Sequence, residues 1–359
     1  MTNRGYTREE YLKLPEEEKY IKLSSSESER AEELFTKSLK VDLHTHIYGS
    51  VIFEWNEEKL NLVHQMGVEG CFEAVPALSE NFAESMDLLG KYFAITEKEQ
   101  SLIPAYKAED IRKAKKEGKQ AVLFQLEPNT FGRNLDRVEI AYGHGIRMAL
   151  LCFNTRNYIG DGIAERTNAG LSYLGLELVE RMNKIGMLID LSHSGIQTSL
   201  DAIEHSKDPC VFNHAGARAL NPPCKRLRND EELQAVAEKK GLIGISAIPN
   251  QLSFDKDQGI EDHLKHINYC VNLVGIDHVA IGLDNVFRDQ VAGHRRSAGG
   301  SRNFKESGIQ LTGDYLFGIE GPHEWKNIVR GLVSEGYSDE EILKIIGGNA
   351  MKIIEKVIG

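Results

Sequence analysis

Val41-Asp42-Leu43-His44-Thr45-His46, the stretch VDLHTH at residues 41–46, is a short apolar run that ends in two imidazoles. Side chains at i and i+2 of an extended chain lie on one face, so His44 and His46 are placed to share one metal ion. The same construction recurs downstream: AVLFQLE (121–127) stops at Glu127, LIDLSH (188–193) at His193, CVFNH (210–214) at His214 and VAIGLD (279–284) at Asp284. Hydrophobic strands that repeatedly end in His, Glu or Asp are hard to explain as core. A buried carboxylate or imidazole needs partners, and a shared cation satisfies several at once.

Working outward from these ends, short apolar runs alternate with helical patterns, the signature of βα units around a parallel sheet. Eight strands are expected: Lys40–His44, Glu69–Val75, Ala121–Glu127, Arg147–Phe153, Met187–His193, Cys210–His214, Leu242–Ile248 and His278–Asp284. Helical stretches such as LELVERMNKIG (176–186), DEELQAVAEKKG (230–241) and EDHLKHINYCVNLVG (261–275) follow them. Eight strands suit a closed (β/α)8 barrel of the TIM type, whose strand C-termini converge on one pocket and bring residues distant in sequence together. Residues 1–38 are charged and helix-prone and read as an N-terminal helical extension; residues 39–359 read as one barrel domain. The segment 286–313 is rich in Gly, Ser, Arg and Asn without apolar periodicity, a loop that serves either as a lid or as a plain insertion. The tail from His323 to Ile358 reads as closing helices, with Gly347-Gly348-Asn349 as a helix stop and start.

Composition narrows the function classes. The chain has 359 residues, 41% hydrophobic and 27% charged, with no run of about 18 apolar residues that would cross a bilayer. The N-terminus lacks the apolar segment of a secretory signal, which points to the cytoplasm. Five cysteines without a CxxC pair argue for buried thiols rather than disulfides or a structural zinc ribbon. A formal charge of −11 disfavours nucleic acid and anionic membrane as partners and leaves a small-molecule substrate. A homo-oligomer remains open.

Imidazole and carboxylate donors without thiolates suit zinc, with manganese, iron or cobalt as alternatives by availability. Five ligands imply two divalent ions: His44 and His46 on one, His193 and His214 on the other, Glu127 bridging. Two such ions hold a hydroxide that is nucleophilic at neutral pH and polarise a carbonyl. Asp284 then stands as the catalytic residue that takes the proton from water and returns it to a leaving amine.

In their order along the chain these motifs resemble the membrane (renal) dipeptidase family of zinc metallopeptidases, in its soluble bacterial form. DLHTH (42–46) is similar to the family's opening metal motif, and LFQLE (123–127) to its bridging-glutamate strand. GLSYLG (170–175), LIDLSHSG (188–195), VFNHAGARAL (211–220), IGLD (281–284) and GYSDEEILKIIGGNAMKI (336–353) complete the order. The resemblance implies hydrolysis of dipeptides, often with a D-residue at the C-terminal side. It also implies that Arg228 binds the substrate carboxylate, a task suited to a bidentate guanidinium; a surface arginine ahead of a helix cap is the plainer alternative. The family often carries a histidine or tyrosine against the substrate where this chain has Phe153, and commonly an aspartate where this chain has His46. Two other readings stay open: a binuclear amidohydrolase acting on a cyclic amide, lactam, N-acyl amino acid or lactone, and a metal-dependent binding protein without turnover.

Overall fold

The structure is a computed structural model that describes residues 5–48, 56–76, 81–127, 129–284, 286, 291 and 306–359. Nine strands are β1 (Val41–Thr45), β2 (Gly70–Pro76), β3 (Leu102–Pro104), β4 (Gln120–Glu127), β5 (Ile146–Leu150), β6 (Leu188–Asp190), β7 (Val211–Ala215), β8 (Leu242–Ile245) and β9 (Val279–Ile281). All pairings are parallel. β1 pairs with β2 and β9, β2 pairs directly with β4, and the sequence β4-β5-β6-β7-β8-β9 closes the ring. The result is the expected eight-stranded (β/α)8 barrel. β3 is an addition, a three-residue strand on the start of β4, too short to show in the apolar pattern.

Strand alternation divides the core in two. Val41, Leu43, Phe72, Leu123, Met148, Leu188, Val211, Leu242 and Ala280 form one buried cluster, the barrel interior. Their neighbours Cys71, Val122, Phe124, Ile189, Phe212, Ile243 and Ile281 belong to the second cluster, between strands and helices. The helix Asn349–Val357 places Ala350, Met351 and Ile354 in the interior cluster and contacts β1, β8 and β9, so the tail closes the barrel as anticipated. The five cysteines are buried and form no disulfide among the described residues. Among the described residues no helix is long and apolar enough to cross a membrane.

Two details differ from expectation. Gly347-Gly348 does not stop the helix: Lys344–Gly348 is a π-turn that runs straight into Asn349–Val357. Gly347 is required instead by close approach, since a Cβ there would collide with the Leu39 carbonyl oxygen. The strands β5, β6, β8 and β9 also end three residues early. At β6 the reason is local: Asp190 Oδ1 accepts from Ser192 N at 3.0 Å and Ser192 Oγ at 2.6 Å, turning the chain before His193. The loop expected at 286–313 lies mostly outside the described residues.

The N-terminal segment is clamped to the barrel. Helices Arg8–Leu12, Glu16–Lys19 and Ser25–Lys37 precede β1, and the Tyr11 ring, fully buried, stacks on Tyr315. Its hydroxyl donates to Glu324 at 2.7 Å and accepts from Gly318 N at 2.9 Å. Arg8 pairs with Glu320 at 2.6 Å, and Asn327 Oδ1 accepts from Ile21 N at 2.8 Å. Tyr11→Phe removes the partner of a buried carboxylate and of a backbone N–H, and is expected to cost about 1–3 kcal/mol. Urea unfolding at constant m measures it; an unchanged midpoint contradicts the clamp.

Candidate metal centre

Every strand-end residue singled out above arrives at one mouth of the barrel. β1 delivers His44 and His46; a register shift against β2 between Asp42 and Thr45 accompanies the turn of His44 into the mouth. The Asp42 carboxylate fixes that turn, accepting from His44 N at 3.1 Å, Leu283 N at 3.0 Å and Trp325 Nε1 at 3.1 Å. Glu127 is the last residue of β4, His214 lies near the end of β7, and His193 follows β6. Asp284 sits three residues past β9 with φ +53, a left-handed conformation that aspartate tolerates better than most residues. Its backbone N–H donates to His44 O at 3.1 Å.

The two oxygens of Glu127 face different imidazole pairs. Oε2 lies 3.1 Å from His44 Nε2 and 3.9 Å from His46 Nε2; Oε1 lies 3.2 Å from His193 Nε2 and 3.7 Å from His214 Nε2. Asp284 Oδ1 lies 3.1 Å from His46 Nε2 and 3.4 Å from His44 Nε2, while Oδ2 lies 3.6 Å from His214 Nε2. The His44 and His46 Nε2 atoms are 3.2 Å apart. Donors held about 2.0–2.1 Å from one ion at tetrahedral angles stand about 3.3–3.4 Å from each other, so these spacings match a shared cation. Among the described residues, His44, His46 and Asp284 form one group able to hold an ion and His44, Glu127 and His214 another. Asp284, expected to stand apart as a base, is thus also within ligand reach.

Hydrogen bonding supports the fit. His193 donates Nδ1–H to Asn154 Oδ1 at 2.8 Å, which leaves the Nε2 lone pair facing Glu127. His214 Nε2 is buried and has no hydrogen-bond partner among the described residues, an orphan lone pair of the kind a metal ion satisfies. Burial would raise the Glu127 and Asp284 carboxyls, but the surrounding imidazoles hold both well below the usual carboxylate range. Burial, then the Arg226 charge, takes His193 down to about 3; burial, then His44, takes His214 well below an ordinary imidazole. Burial also opposes a charged His44, yet Glu127 and Asp284 outweigh it and hold a proton there. Two anionic carboxylates therefore face neutral imidazoles at His193 and His214, while His44 carries a proton that a bound ion would displace.

The arginine expected to bind substrate, Arg228, is hydrogen-bonded to the carbonyls on either side of His193. Arg228 is fully buried, with Nη1 donating to Ser194 O at 2.8 Å and Nη2 to Ser192 O at 3.0 Å. It also pairs with Glu232 at 3.1 Å, and Glu232 closes a capping box with Asn229 that starts the helix Asp230–Glu238. Arg226 reaches the metal-ligand candidates instead: its Nη2 lies 2.9 Å from His193 Nε2 and its Nη1 donates to Ser192 O. Burial, then the Arg228 charge, lowers Arg226 to about 10. Phe153, expected at the end of its strand, lies three residues past β5 and stacks on the His193 ring with centroids 4.0 Å apart.

Sequence reasoning missed Arg226, Asn154, Asp42 and the amides Gln125 and Asn213 that back the histidines. A signal existed for Gln125, which lies two residues before Glu127 on a strand of period two. His266, the least certain of the remaining histidines, is a core residue that accepts from Ala217 N at 3.0 Å and bonds Leu252 O at 3.0 Å.

Comparison with known proteins fits this geometry. Residues 61–293 match the family model of membrane dipeptidase, peptidase family M19. The chain belongs to the membrane dipeptidase family. The matched M19 region carries Glu127, His193, His214 and Asp284, and begins after His44 and His46. Dipeptidase tcpJ of Claviceps purpurea is 28% identical over 257 residues, 70% of this chain and 55% of that protein. Dipeptidase aclJ of Aspergillus oryzae is 28% identical over 217 residues, 59% and 46% of the two chains. This dipeptidase-family chain thus spans about half the length of the curated relatives it matches. Among solved structures, an amidohydrolase from Pseudomonas aeruginosa superposes with a TM-score of 0.82 at 27% identity, over 92% of this chain and 99% of that one. A Rhodobacter sphaeroides metallo peptidase, liganded with a phosphinate mimic of L-Ala-D-Ala, shares the fold, with a TM-score of 0.75 at 18% identity over 89% and 100% of the chains.

A centre built this way is stabilised by the cation it binds. Adding Zn2+ at about 100 times its dissociation constant is expected to stabilise the metal-stripped protein by about 2.7 kcal/mol per site, and so to raise Tm by several degrees. Differential scanning fluorimetry with and without chelator reads it. His193→Ala should lose part of the rise, and a Tm indifferent to metal contradicts the site.

Proposed function

We propose that this M19 protein is a dipeptidase that holds two divalent ions, zinc by donor chemistry, and hydrolyses the single amide of a dipeptide. The observation that carries the reading is Glu127, whose two oxygens address two imidazole pairs, 3.1 Å to His44 and 3.2 Å to His193. One ion is held by His44 and His46 with Asp284 beside them, the other by His193 and His214. The ions, when bound, supply an activated water and polarise the scissile carbonyl. Asp284 takes the proton of the attacking water and returns it to the leaving amine.

Arg226, rather than Arg228, receives the substrate's terminal carboxylate. Its guanidinium is buried at the site and donates to His193 Nε2 at 2.9 Å; once that lone pair serves as a ligand, the N–H is redirected to substrate. The two terminal nitrogens of Arg228 already donate to Ser192, Ser194, Arg226 and Glu232, which leaves its Nε alone without a partner among the described residues. Phe153, stacked on His193, walls the pocket with an aromatic face and orients the substrate by shape. A C-terminal D-residue, as in the L-Ala-D-Ala mimic bound by the Rhodobacter protein, is the first stereochemistry to test. A cyclic amide or N-acyl amino acid is the second reading, favoured by the 27% identity to the Pseudomonas amidohydrolase.

The zinc-loaded enzyme should turn over members of an L,L and L,D dipeptide panel faster than lactams and acyl amino acids. No dipeptide turnover by fully loaded protein sinks the reading. Asp284→Asn should lower kcat about 10²–10⁴-fold with metal content checked in parallel. Arg226→Met should raise KM for dipeptides far more than for C-terminal amides, which lack the carboxylate; an equal effect on both contradicts its role.

A further inference from the structure

Strand β2 carries an acid that none of the chemistry above uses. Glu73 is fully buried and stands opposite Thr45 in the register of β1 and β2. Cys71 and Val75, its neighbours on the same face of the strand, belong to the apolar layer between strands and helices, so a carboxylate there must be answered by polar partners. Among the described residues all of them come from one short stretch. Oε2 accepts from Ile47 N at 2.7 Å and from Thr45 Oγ1 at 3.0 Å, and Oε1 accepts from Tyr48 N at 2.9 Å. Every partner is a donor and both oxygens are engaged, so the place calls for a group that only accepts. Burial pushes the carboxyl up to about 7, while the charge of His46 and these donors pull the other way. Above that pH it is the acceptor-only anion.

The stretch that Glu73 holds is the one that contains His46. Asp42 faces Cys71 and Thr45 faces Glu73, so three steps on β1 match two on β2. A slip of this kind re-aims side chains, and the chain beyond it must be fixed by other bonds. For His44 those bonds are plain: Asp42 accepts from its backbone N–H, and Gln125 Nε2 and Asn213 Nδ2 lie 2.6 Å and 3.0 Å from its Nδ1. His46 has no such backing. Among the described residues the contacts of its ring nitrogens are at Nε2 alone, with His44, Glu127 and Asp284. Its aim is therefore set by the backbone of residues 45–48. Glu73 gathers that backbone, with Thr45 on one side of His46 and Ile47 and Tyr48 on the other.

We infer that Glu73 is a positioning residue of the metal centre, whose carboxylate closes residues 45–48 into the turn that aims His46 at its ion. The inference rests on His46 being a ligand, as proposed above. Asp42 and Glu73 then divide the work, one acid for each histidine of the pair. A carboxylate that serves stability alone would leave ion binding untouched or weaken both ions alike. A positioning carboxylate acts on one ion, and only while His46 is there to be aimed.

The test is a Zn2+ titration of the metal-stripped full chain at pH 8 against a chromophoric chelator, with thermal unfolding as the check on folding. Four proteins are compared: unmodified, Glu73→Gln, His46→Ala and the double variant. Glutamine keeps the shape of Glu73 but sets an NH2 group against one of the donors. Glu73→Gln is expected to weaken one of the two stepwise constants about 10–100-fold, the other holding within about threefold, and to add less than about threefold once His46 is alanine. Unchanged constants, equal weakening of both, or a larger further loss in the His46→Ala background overturns the inference. If His46→Ala alone binds both ions as tightly as the unmodified protein, the reading of His46 as a ligand falls instead. An unmodified protein that binds fewer than two zinc ions overturns the binuclear reading itself. Should Glu73→Gln not fold, Thr45→Val takes its place, removing one donor at nearly constant shape. A weakening of one constant by about threefold or more is then expected, and none overturns the inference.

Discussion

Glu127 stands fully within the protein at the end of β4, with an imidazole about 3 Å from each of its oxygens. A carboxylate in such a place is tolerated only if cationic charge answers it on both sides. The remainder of the mouth is arranged around that requirement. Four imidazoles and a second carboxylate, Asp284, crowd the same volume, and His214 Nε2 is left without a hydrogen-bond partner among the described residues. Two divalent ions, as proposed above, would satisfy them together.

The barrel supplies precision at this point because its strand ends are short and each is turned by a polar side chain. Asp42 fixes His44 and Leu283, and through Trp325 it ties β1 to the closing helices. Asp190 turns β6 toward His193, and Asn154 sets the tautomer of that histidine. Groups of this kind orient ligands without touching an ion, and in metal sites they commonly matter nearly as much as the ligands. The interior below them is apolar, so an error in any of these bonds strands a polar atom in the core.

Much of this was legible in the sequence. The eight barrel strands and the five ligand candidates follow from apolar runs that end in His or Glu, because strand period and barrel topology leave few other places for such residues. The limits of legibility are equally physical. Strand ends were overestimated at β6, where Asp190 and Ser192 turn the chain early. Arg228 was expected at the substrate from the resemblance alone; the carbonyls of Ser192 and Ser194 and the cap residue Glu232 hold it, while Arg226, which no motif marked, lies against His193. The short β3 and the packing of Tyr11 against Glu324 depend on contacts more than 300 residues apart in one case and on three residues in the other, which no local pattern reports. The amides Gln125 and Asn213 look like ordinary interior polar residues until their partners are seen.

The measurement that tests the account most directly is anomalous diffraction from crystals of the zinc-loaded protein. Two peaks about 3.5–4 Å apart are expected, one against His44, His46 and Asp284, the other against His193 and His214, with Glu127 reaching both. A single peak, or a pair of peaks that Glu127 does not bridge, would contradict it.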